Sequence, residues 1–388
     1  MAQRRSRRAG VEDLWKKKDG SPSARAGRGL RWRARFVDDD GQERTRAFKT
    51  KPPATRWLEE QTSALVTGTY ADPNIRTVFS VVADGFLASQ GHLKERTLYE
   101  YKSLTKAMLL PQWGERRVNE IRRSEIEAWL AGLIGDGKSG SRVRQAGRLM
   151  HQILEYARSD RLIAINPCDG VKLPRERKER PDHYLSADQV WALSRATGER
   201  WEVLVRTLAF TGLRWGEISA LTVADVDLER RRLTISKAYS DIGGRLVLGS
   251  TKNHETRWVP IPPGLVEELQ PILEGRAAGD LVFHRDGDPI TSSYFLRSVI
   301  RPAAEATDGI PDAFVTHDAR HTAASLAIRG GVHVKTLQRM LGHKTATLTL
   351  DRYGHLFPDD LDAAGAVIEG LAYPLRTETK KKTGRSGE

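Results

Sequence analysis

The chain of 388 residues contains one cysteine, Cys168, so it makes no internal disulfide and offers no thiolate cluster for zinc. Long apolar runs are missing too. None approaches the ~20 residues that span a bilayer, and no apolar stretch follows the arginine-rich start MAQRRSRRAG to make a signal peptide. The expectation is a cytoplasmic protein. Acidic side chains are in deficit, 50 Asp plus Glu against 63 Lys plus Arg, which leaves a formal charge of +13. That excess favours a polyanionic partner, nucleic acid first and an anionic membrane face second. No internal repeat is present, and the length suits two or three domains rather than one core.

Residues 1 to about 30 are basic and rich in Gly, Ser and Arg, which fits a mobile arm around a short strand at DLWKKKDG, with roughly the first 10 residues disordered. From Arg31 the pattern changes. Trp32, Ala34 and Phe36 alternate with Arg31, Arg33 and Arg35, DDDG turns the chain, and Arg44 and Arg46 alternate with Thr45 and Ala47. This predicts a hairpin with one apolar face and a row of guanidiniums on the other, the apolar face covered by a helix through Trp57, Leu58, Gln61 and Leu65. A basic β-ribbon of this kind fits a DNA major groove.

A helical section follows. Phe79, Val82 and Phe86, then Leu98, Tyr101, Thr105 and Met108, fall at helical spacing. Ser124 and Glu127 suggest a capping box before Ile126, Trp129, Leu130 and Leu133, and Val143, Ala146, Met150, Ile153, Leu154 and Ala157 form one stripe. Arg142, Arg144 and Arg148 lie largely off that stripe, as a solvated face or as DNA contacts. The charged, aperiodic stretch KLPRERKERPDHYLS, with Pro174 and Pro181, reads as an interdomain linker. A third section then opens with a cap at Ser186 and Gln189 and runs through two helices, a three-stranded patch from about Arg231 to Pro262, and further helices to about Leu371. The end, TETKKKTGRSGE, is a charged tail expected to be disordered.

The chemistry is concentrated in that third section. In LAFTGLRWGEISAL one helix stops at Thr211-Gly212 and another starts near Arg214. A cation at a helix N-terminus is misplaced unless an anion binds there, with Glu217 one turn on to orient it; the alternative is an ordinary i,i+3 pair. Lys252 lies in a turn between strands, where a lysine is usually just solvated but where its flexible stem can also deliver a proton. THDARHTAASL places His317, Arg320 and His321 at a helix start. His317 and His321 have the four-residue spacing of a zinc-protease helix, but Asp318 stands where that motif has glutamate and Arg320 brings a positive charge. His343 follows a helix that Gly342 can cap, Thr345 can start the next, and Tyr353 has Leu348, Leu350 and Leu356 nearby as packing partners. Together Arg214, Lys252, His317, Arg320, His343 and Tyr353 supply two guanidiniums, an ammonium, two imidazoles and a phenol, with no carboxylate cluster for Mg²⁺. This set suits metal-free attack on a phosphodiester, with Tyr353 as nucleophile and its phenol acidified by the cationic pocket.

The ordered motifs TGLRWGE, STKNHETRWVPI, HDARHTAASL and LGHKTATLTLDRYGH resemble the tyrosine recombinase family, particularly phage-type integrases. GLRWRARFVDDDGQERTRAFKT with ATRWLEEQ resembles the arm-site-binding domain of integrases from phages and integrative elements. The resemblance implies a multidomain fold: a small β-sheet-plus-helix arm-binding domain (1–72), an all-α core-binding domain (76–172), a linker (173–182), a mainly α catalytic domain with a small three-stranded antiparallel sheet (183–373), and a disordered tail (374–388). It implies that Arg214 and Arg320 clamp the scissile phosphate and that Lys252 is the general acid to the 5′ oxygen. His317 and His343 would assist proton transfer, Glu217 would support, and Tyr353 would form the 3′-phosphotyrosyl link, with no cofactor and no metal. Ala319 departs from the family's usual leucine, a change in packing more than in chemistry. The implied partners are double-stranded DNA attachment sites, contacted through Arg31, Arg33, Arg35, Arg44, Arg46, Arg142, Arg144 and Arg148, and three further copies in a homotetramer. The resemblance leaves room for a recombination directionality factor and a host DNA-bending protein, and places the DNA-bound enzyme at the bacterial nucleoid. Ala364, Val367, Ile368 and Leu371 form an apolar stripe that either docks on a neighbouring protomer or packs on its own domain. Two competing readings are a DNA-binding protein without catalysis and a metallohydrolase on His317 and His321. Single-round relaxation, as by a type IB topoisomerase, shares the chemistry, but an arm-type domain favours paired-site recombination.

Overall fold

Alternation of apolar and charged residues, helix caps and two prolines determine most of the observed architecture. The structure, a computed structural model, describes residues 9–38, 41–67, 70, 76–174, 182–251, 256–357, 368–369 and 372. Lys252, the tail after 373, and Ala364, Val367 and Leu371 of the apolar stripe lie outside the described residues. The chain divides into two compact units, residues 1–178 and 179–388. Among the described residues no helix is long and apolar enough to cross a membrane.

In the first unit β1 (Gly10–Asp13), β2 (Trp32–Val37) and β3 (Glu43–Phe48) form an antiparallel sheet in that order, and α1 (Lys51–Val66) packs on it. Ala34 and Phe36 are buried, with the Trp57 ring 5.6 Å from that of Phe36 and 6.0 Å from that of Phe48. The segment read as a mobile arm is structured from residue 9. Its strand falls earlier than DLWKKKDG, and Leu14 N–H donates to the Arg31 carbonyl (2.7 Å) while the Trp15 indole donates to that of Arg28 (3.2 Å).

The single row of guanidiniums is also corrected. Phe36 is paired with Arg44 and Ala34 with Arg46, and directly opposed residues of an antiparallel pair share a face. Arg44 and Arg46 therefore stand on the side of the apolar residues, away from Arg33 and Arg35. Several of these arginines have carboxylate partners: Arg31 with Asp13 (2.9 Å), Arg44 with Asp38 (2.7 Å), and Arg33 with Glu12.

The helical part comprises α2 (Phe79–Ser89), α3 (Glu95–Leu104), α4 (Leu110–Trp113), α5 (Arg123–Gly135) and α6 (Gly140–Ser159). Phe79, Val82, Phe86, Trp113 and Trp129 meet the expected α6 stripe in one core. The expected cap of α5 is displaced: the helix starts from Arg122, whose N–H donates to Glu125 (3.0 Å), and Glu127 pairs with Arg123 instead. A π-helical turn, Thr105–Leu109, joins α3 to α4 just before Pro111. A proline cannot donate to the preceding turn and its ring crowds the carbonyl four residues back, so a widened turn is the local solution.

The second unit contains α7 (Ala187–Ala196), α8 (Glu199–Thr211), α9 (Trp215–Ile218), β4 (Val226–Asp227), β5 (Arg232–Ile235), β6 (Lys237–Ile242), β7 (Arg245–Ser250) and β8 (Arg257–Pro260). It continues through α10 (Pro263–Leu273), α11 (Ser292–Phe295), α12 (Arg301–Glu305), α13 (Thr316–Arg329), α14 (Val334–Leu341) and α15 (Ala346–Tyr353). Another π turn, Leu296–Ile300, precedes Pro302 in the same relation as that before Pro111. The Ser186 cap forms as expected, with Gln189 N–H donating to Ser186 Oγ (3.2 Å) and Ser186 N–H to the Gln189 side chain (2.8 Å). Where one three-stranded patch was expected there are two sheets among the described residues: β4-β5-β8, and a β6-β7 ribbon inserted between β5 and β8 in sequence. Val190, Leu204, Leu208, Ile218, Val259 and Phe295 belong to the main core, and Ala319 is buried with them. A smaller core of Ala324, Ile328, Leu337 and Leu341 encloses Tyr353.

Candidate active site

The site begins where α8 ends. Gly212 caps that helix in a left-handed conformation (φ 67°), which a glycine adopts without strain. A Cβ there would also meet Leu341 Cδ2 at 2.8 Å and Ala323 Cβ at 3.2 Å. The turn delivers Arg214 to the N-cap of α9, and its backbone N–H donates to Glu217 Oε2 (2.9 Å). The Arg214 guanidinium donates to Glu217 Oε1 (2.9 Å) and to the Gly342 carbonyl (3.3 Å). Glu217 is buried, so the pair is more than a surface i,i+3 bridge.

Sequence reasoning missed the other half of this clamp. Arg257 on β8 donates to both Glu217 oxygens, at 2.9 and 2.7 Å, and through Nε to the Met340 carbonyl (3.0 Å). Burial alone would raise the Glu217 carboxyl, but the hydrogen bonds and charge of Arg257, together with Arg214, hold it at about 2. The TRWVP alternation was the only signal available for Arg257.

Arg320, on α13, is 3% exposed and has its charge at two helix ends. It donates from Nη1 to the Gly212 carbonyl (2.7 Å) and from Nη2 to that of Leu341 (2.6 Å). Both carbonyls belong to C-terminal helix turns, where the chain leaves acceptors and partial negative charge. His343 sits just past the left-handed cap Gly342 (φ 63°), its Nδ1 2.9 Å from Thr349 Oγ1. Thr345 starts α15 as expected, accepting from Leu348 N–H (3.3 Å).

Tyr353 ends α15 and is 1% exposed. Its ring lies parallel to that of His343, with centroids 6.4 Å apart. Its oxygen is 2.7 Å from His321 Nδ1, a partner the sequence showed only as a candidate zinc ligand. The other nitrogen of His321, Nε2, is 2.9 Å from Arg352 Nη2, which also donates to Asp182 (3.1 Å). Both nitrogens of His321 are thus engaged by side chains, and Asp318, the stand-in for a zinc-protease base, accepts from Val315 N–H (2.9 Å) as a helix cap. His317 stands one turn before His321, the rings perpendicular at 4.8 Å. The structure therefore brings Arg214, Arg320, His317, His343 and Tyr353 together in one unit, with Glu217 behind them; Lys252 lies outside the described residues.

Arg214, Arg257, Trp258, His343 and Lys344 line a cavity of about 490 Å³, and its described lining includes no carboxylate. The electrostatics follow from desolvation and from the guanidiniums. Burial, then Arg320, Arg352 and Arg214, push His317 down to about 4; burial with Arg320 and Arg214 does the same to His343; burial, His317 and Arg352 take His321 to about 3. All three are neutral near pH 7. The expected acidification of Tyr353 is reversed: burial drives the phenol up to about 12, although Arg320 and Arg352 pull the other way. Desolvation of a ring inside an apolar cluster outweighs charges that are themselves hydrogen-bonded elsewhere.

Residues 183–359 match the Phage integrase family. The chain is 27% identical over 346 residues to a putative prophage phiRv2 integrase of Mycobacterium tuberculosis, covering 84% of this chain and 88% of that one. It is 26% identical over 350 residues to the integrase of Mycobacterium phage L5, covering 85% and 92%. Among solved structures, the fold is similar to the Tn1549 transposon integrase in complex with transposon right end DNA (TM-score 0.63, 21% identity, 76% of this chain and 100% of that one). It is also similar to a lambda integrase dimer bound to a COC′ core site (TM-score 0.57, 18% identity, 88% and 94%). Residues 183–359 thus form a phage integrase family domain, and the chain is a site-specific DNA recombinase of the tyrosine type.

The clamp makes a pH prediction. Glu217 sits at about 2 against an ordinary 4.5, so its contribution to stability is fully present above about pH 5 and is lost as the pH falls toward 2. Glu217→Gln should destabilise the chain near pH 7 by about 3 kcal/mol, because it leaves two arginines short of their counter-charge. Its urea midpoint should then fall less than that of the native chain between about pH 5 and pH 3. Equal losses in both proteins over that window would show that the clamp contributes nothing.

Proposed function

We propose that this chain integrates a phage or other mobile element by breaking and rejoining DNA strands through a 3′-phosphotyrosyl intermediate on Tyr353. The observation that carries this reading is a buried phenol beside neutral imidazoles, next to a cavity lined by guanidiniums and free of described carboxylates. Arg214 and Arg320 hold the scissile phosphate; each keeps N–H groups beyond those used in the bonds described above, and the fork geometry suits two phosphate oxygens. The Tyr353 oxygen attacks phosphorus and forms the new P–O bond while the P–O5′ bond breaks. The phenol proton passes to a neutral imidazole of His317 or His343, and Lys252 protonates the departing 5′ oxygen. Rejoining is the reverse, so the bond energy stays in the phosphotyrosine and no nucleotide is consumed. With burial holding the phenol at about 12, attack requires its proton to pass to an imidazole as the new P–O bond forms, rather than a phenolate formed beforehand.

The DNA-binding surfaces form the second part of the proposal. Residues 1–72 contact distant arm sites, 76–172 carry Arg142, Arg144 and Arg148 against the core site, and four copies act on two duplexes in the cytoplasm, with a directionality factor and a host bending protein as accessory partners. In support, Arg142 and Arg144 are half-exposed and Arg148 exposed along α6. The acids beside Arg31 and Arg33 would have to yield these side chains to phosphates, so arm binding should be strongly salt-dependent.

Three outcomes follow. Tyr353→Phe should bind core DNA but form no SDS-resistant adduct on a nicked core-site duplex from the element's own attachment region, while the native chain should form it in excess EDTA; adduct from the variant would sink the nucleophile assignment. Lys252→Ala should cleave slowly, and a bridging 5′ sulfur, which leaves without a proton, should restore most of the rate. An equal deficit on both substrates would remove Lys252 from that role. Changing Arg31, Arg33 and Arg35 together to Gln should weaken arm-site footprints and lower the salt slope of the remaining arm binding by about 3, with core cleavage retained. Unchanged footprints would refute the arm assignment.

A further inference from the structure

We propose that His321 is a catalytic hydrogen-bond donor to the Tyr353 oxygen, and that Arg352 is the positioning residue that makes it one by fixing its tautomer. The inference rests on the reading of Tyr353 as the nucleophile. A guanidinium has five N–H groups and no lone pair, so it can only donate. Arg352 Nη2 lies 2.9 Å from His321 Nε2, and that contact is a hydrogen bond only if Nε2 carries a lone pair. A neutral imidazole has one N–H, which must then be on Nδ1, 2.7 Å from the Tyr353 oxygen. An imidazolium would set N–H against N–H at Nε2. Asp182, 9% exposed, holds Arg352 in place from the other side, accepting at 3.1 Å from the same Nη2. The charged and titratable groups around the ring are Asp182, Tyr184, His317, Arg320, Arg352 and Tyr353. The Asp182 oxygen is 3.9 Å from Nε2, too far to hold a proton there by a hydrogen bond.

This arrangement separates two tasks at the phenol oxygen. His321 spends its only proton on that oxygen and has no free lone pair facing it, so it is not the acceptor of the phenol proton. The phenol hydrogen is left for His317 or His343. What His321 supplies is a fixed N–H aimed at the atom whose charge changes. In cleavage it steadies the oxygen as its proton leaves. In rejoining, the 5′ hydroxyl attacks phosphorus and gives its proton to Lys252, the P–O bond to Tyr353 breaks, the electron pair returns to the phenol oxygen, and Nδ1–H meets that charge until the phenol regains its proton from the imidazole that held it. A preplaced donor of this kind acts in both directions.

The test reads the tautomer directly. In the full chain labelled with ¹⁵N-histidine, the ring that disappears in His321→Asn should show its proton on Nδ1 and a bare Nε2. Arg352→Lys, which keeps a donor, should preserve that pattern. Arg352→Met, altering a half-exposed side chain, should shift the proton to Nε2, and adduct formation and release on the nicked core-site duplex should both slow at least tenfold, while Arg352→Lys stays within about threefold of the native rate. An Nε2–H ring in the native chain overturns the proposal without reference to any variant, as does an Arg352→Met protein with native tautomer or native rates. Failure of the underlying reading is distinguishable, because it would appear as adduct formation by Tyr353→Phe whatever the His321 ring shows.

Discussion

The site depends on one buried cation placed without a carboxylate. Arg320 donates to the carbonyls of Gly212 and Leu341, the first beyond α8 and the second at the end of α14. A guanidinium removed from water costs several kcal/mol unless its donors are satisfied. Here the satisfaction comes from helix C-termini, which have acceptors left over and a negative dipole end. Because the hydrogen-bond partners are backbone, no paired carboxylate neutralises the cation. The same contact fixes α8, α13 and α14 relative to one another, and Gly212 is needed both for its left-handed turn and because Leu341 and Ala323 leave no room for a Cβ.

Arg214 is held by the opposite means. It shares the buried carboxylate of Glu217 with Arg257, so two positive charges bracket one negative charge. The carboxylate orients both guanidiniums while the cluster keeps a net positive sign. Three neutral imidazoles then occupy a neighbourhood where further charge would be costly, and burial acts on them in the same direction as the arginines. For the phenol the two influences conflict, and burial wins. The free chain is thus a cationic socket around a protonated phenol.

Much of this was legible in the sequence because it depends on local rules. The caps at Ser186, Gly342 and Thr345 and the α6 stripe come from side chains acting within a few residues of themselves. The order of Arg214, His317, Arg320, His343 and Tyr353 carried the expectation of the chemistry, and these side chains do lie in one unit. What was not legible depends on non-local pairing. Hairpin register decides which face an arginine occupies, and Arg44 and Arg46 fell on the face opposite to that expected. Arg257 gave no local sign of its role, because its partner Glu217 is 40 residues away. The pKa of Tyr353 turned on burial, which a count of nearby cations does not contain.

The helix that ends in Tyr353 shows how far placement and chemistry are the same problem here. α15 has eight residues, about two turns, a length that is not stable on its own in water. Leu348 and Leu350, which a packing account of Tyr353 would need as core, are 52% and 46% exposed. The buried residues of the helix are Thr349 and Tyr353, one turn apart on one side. Thr349 meets His343 and Tyr353 meets His321, so the polar contacts of the helix's buried side are made to two imidazoles of the site. The Tyr353 ring itself is anchored in the core of Ala324, Ile328, Leu337 and Leu341, with Leu356 and Phe357 against it, and the hydrogen bond to His321 fixes where its oxygen points within that core. A change in the state of His321 is therefore also a change at the phenol oxygen.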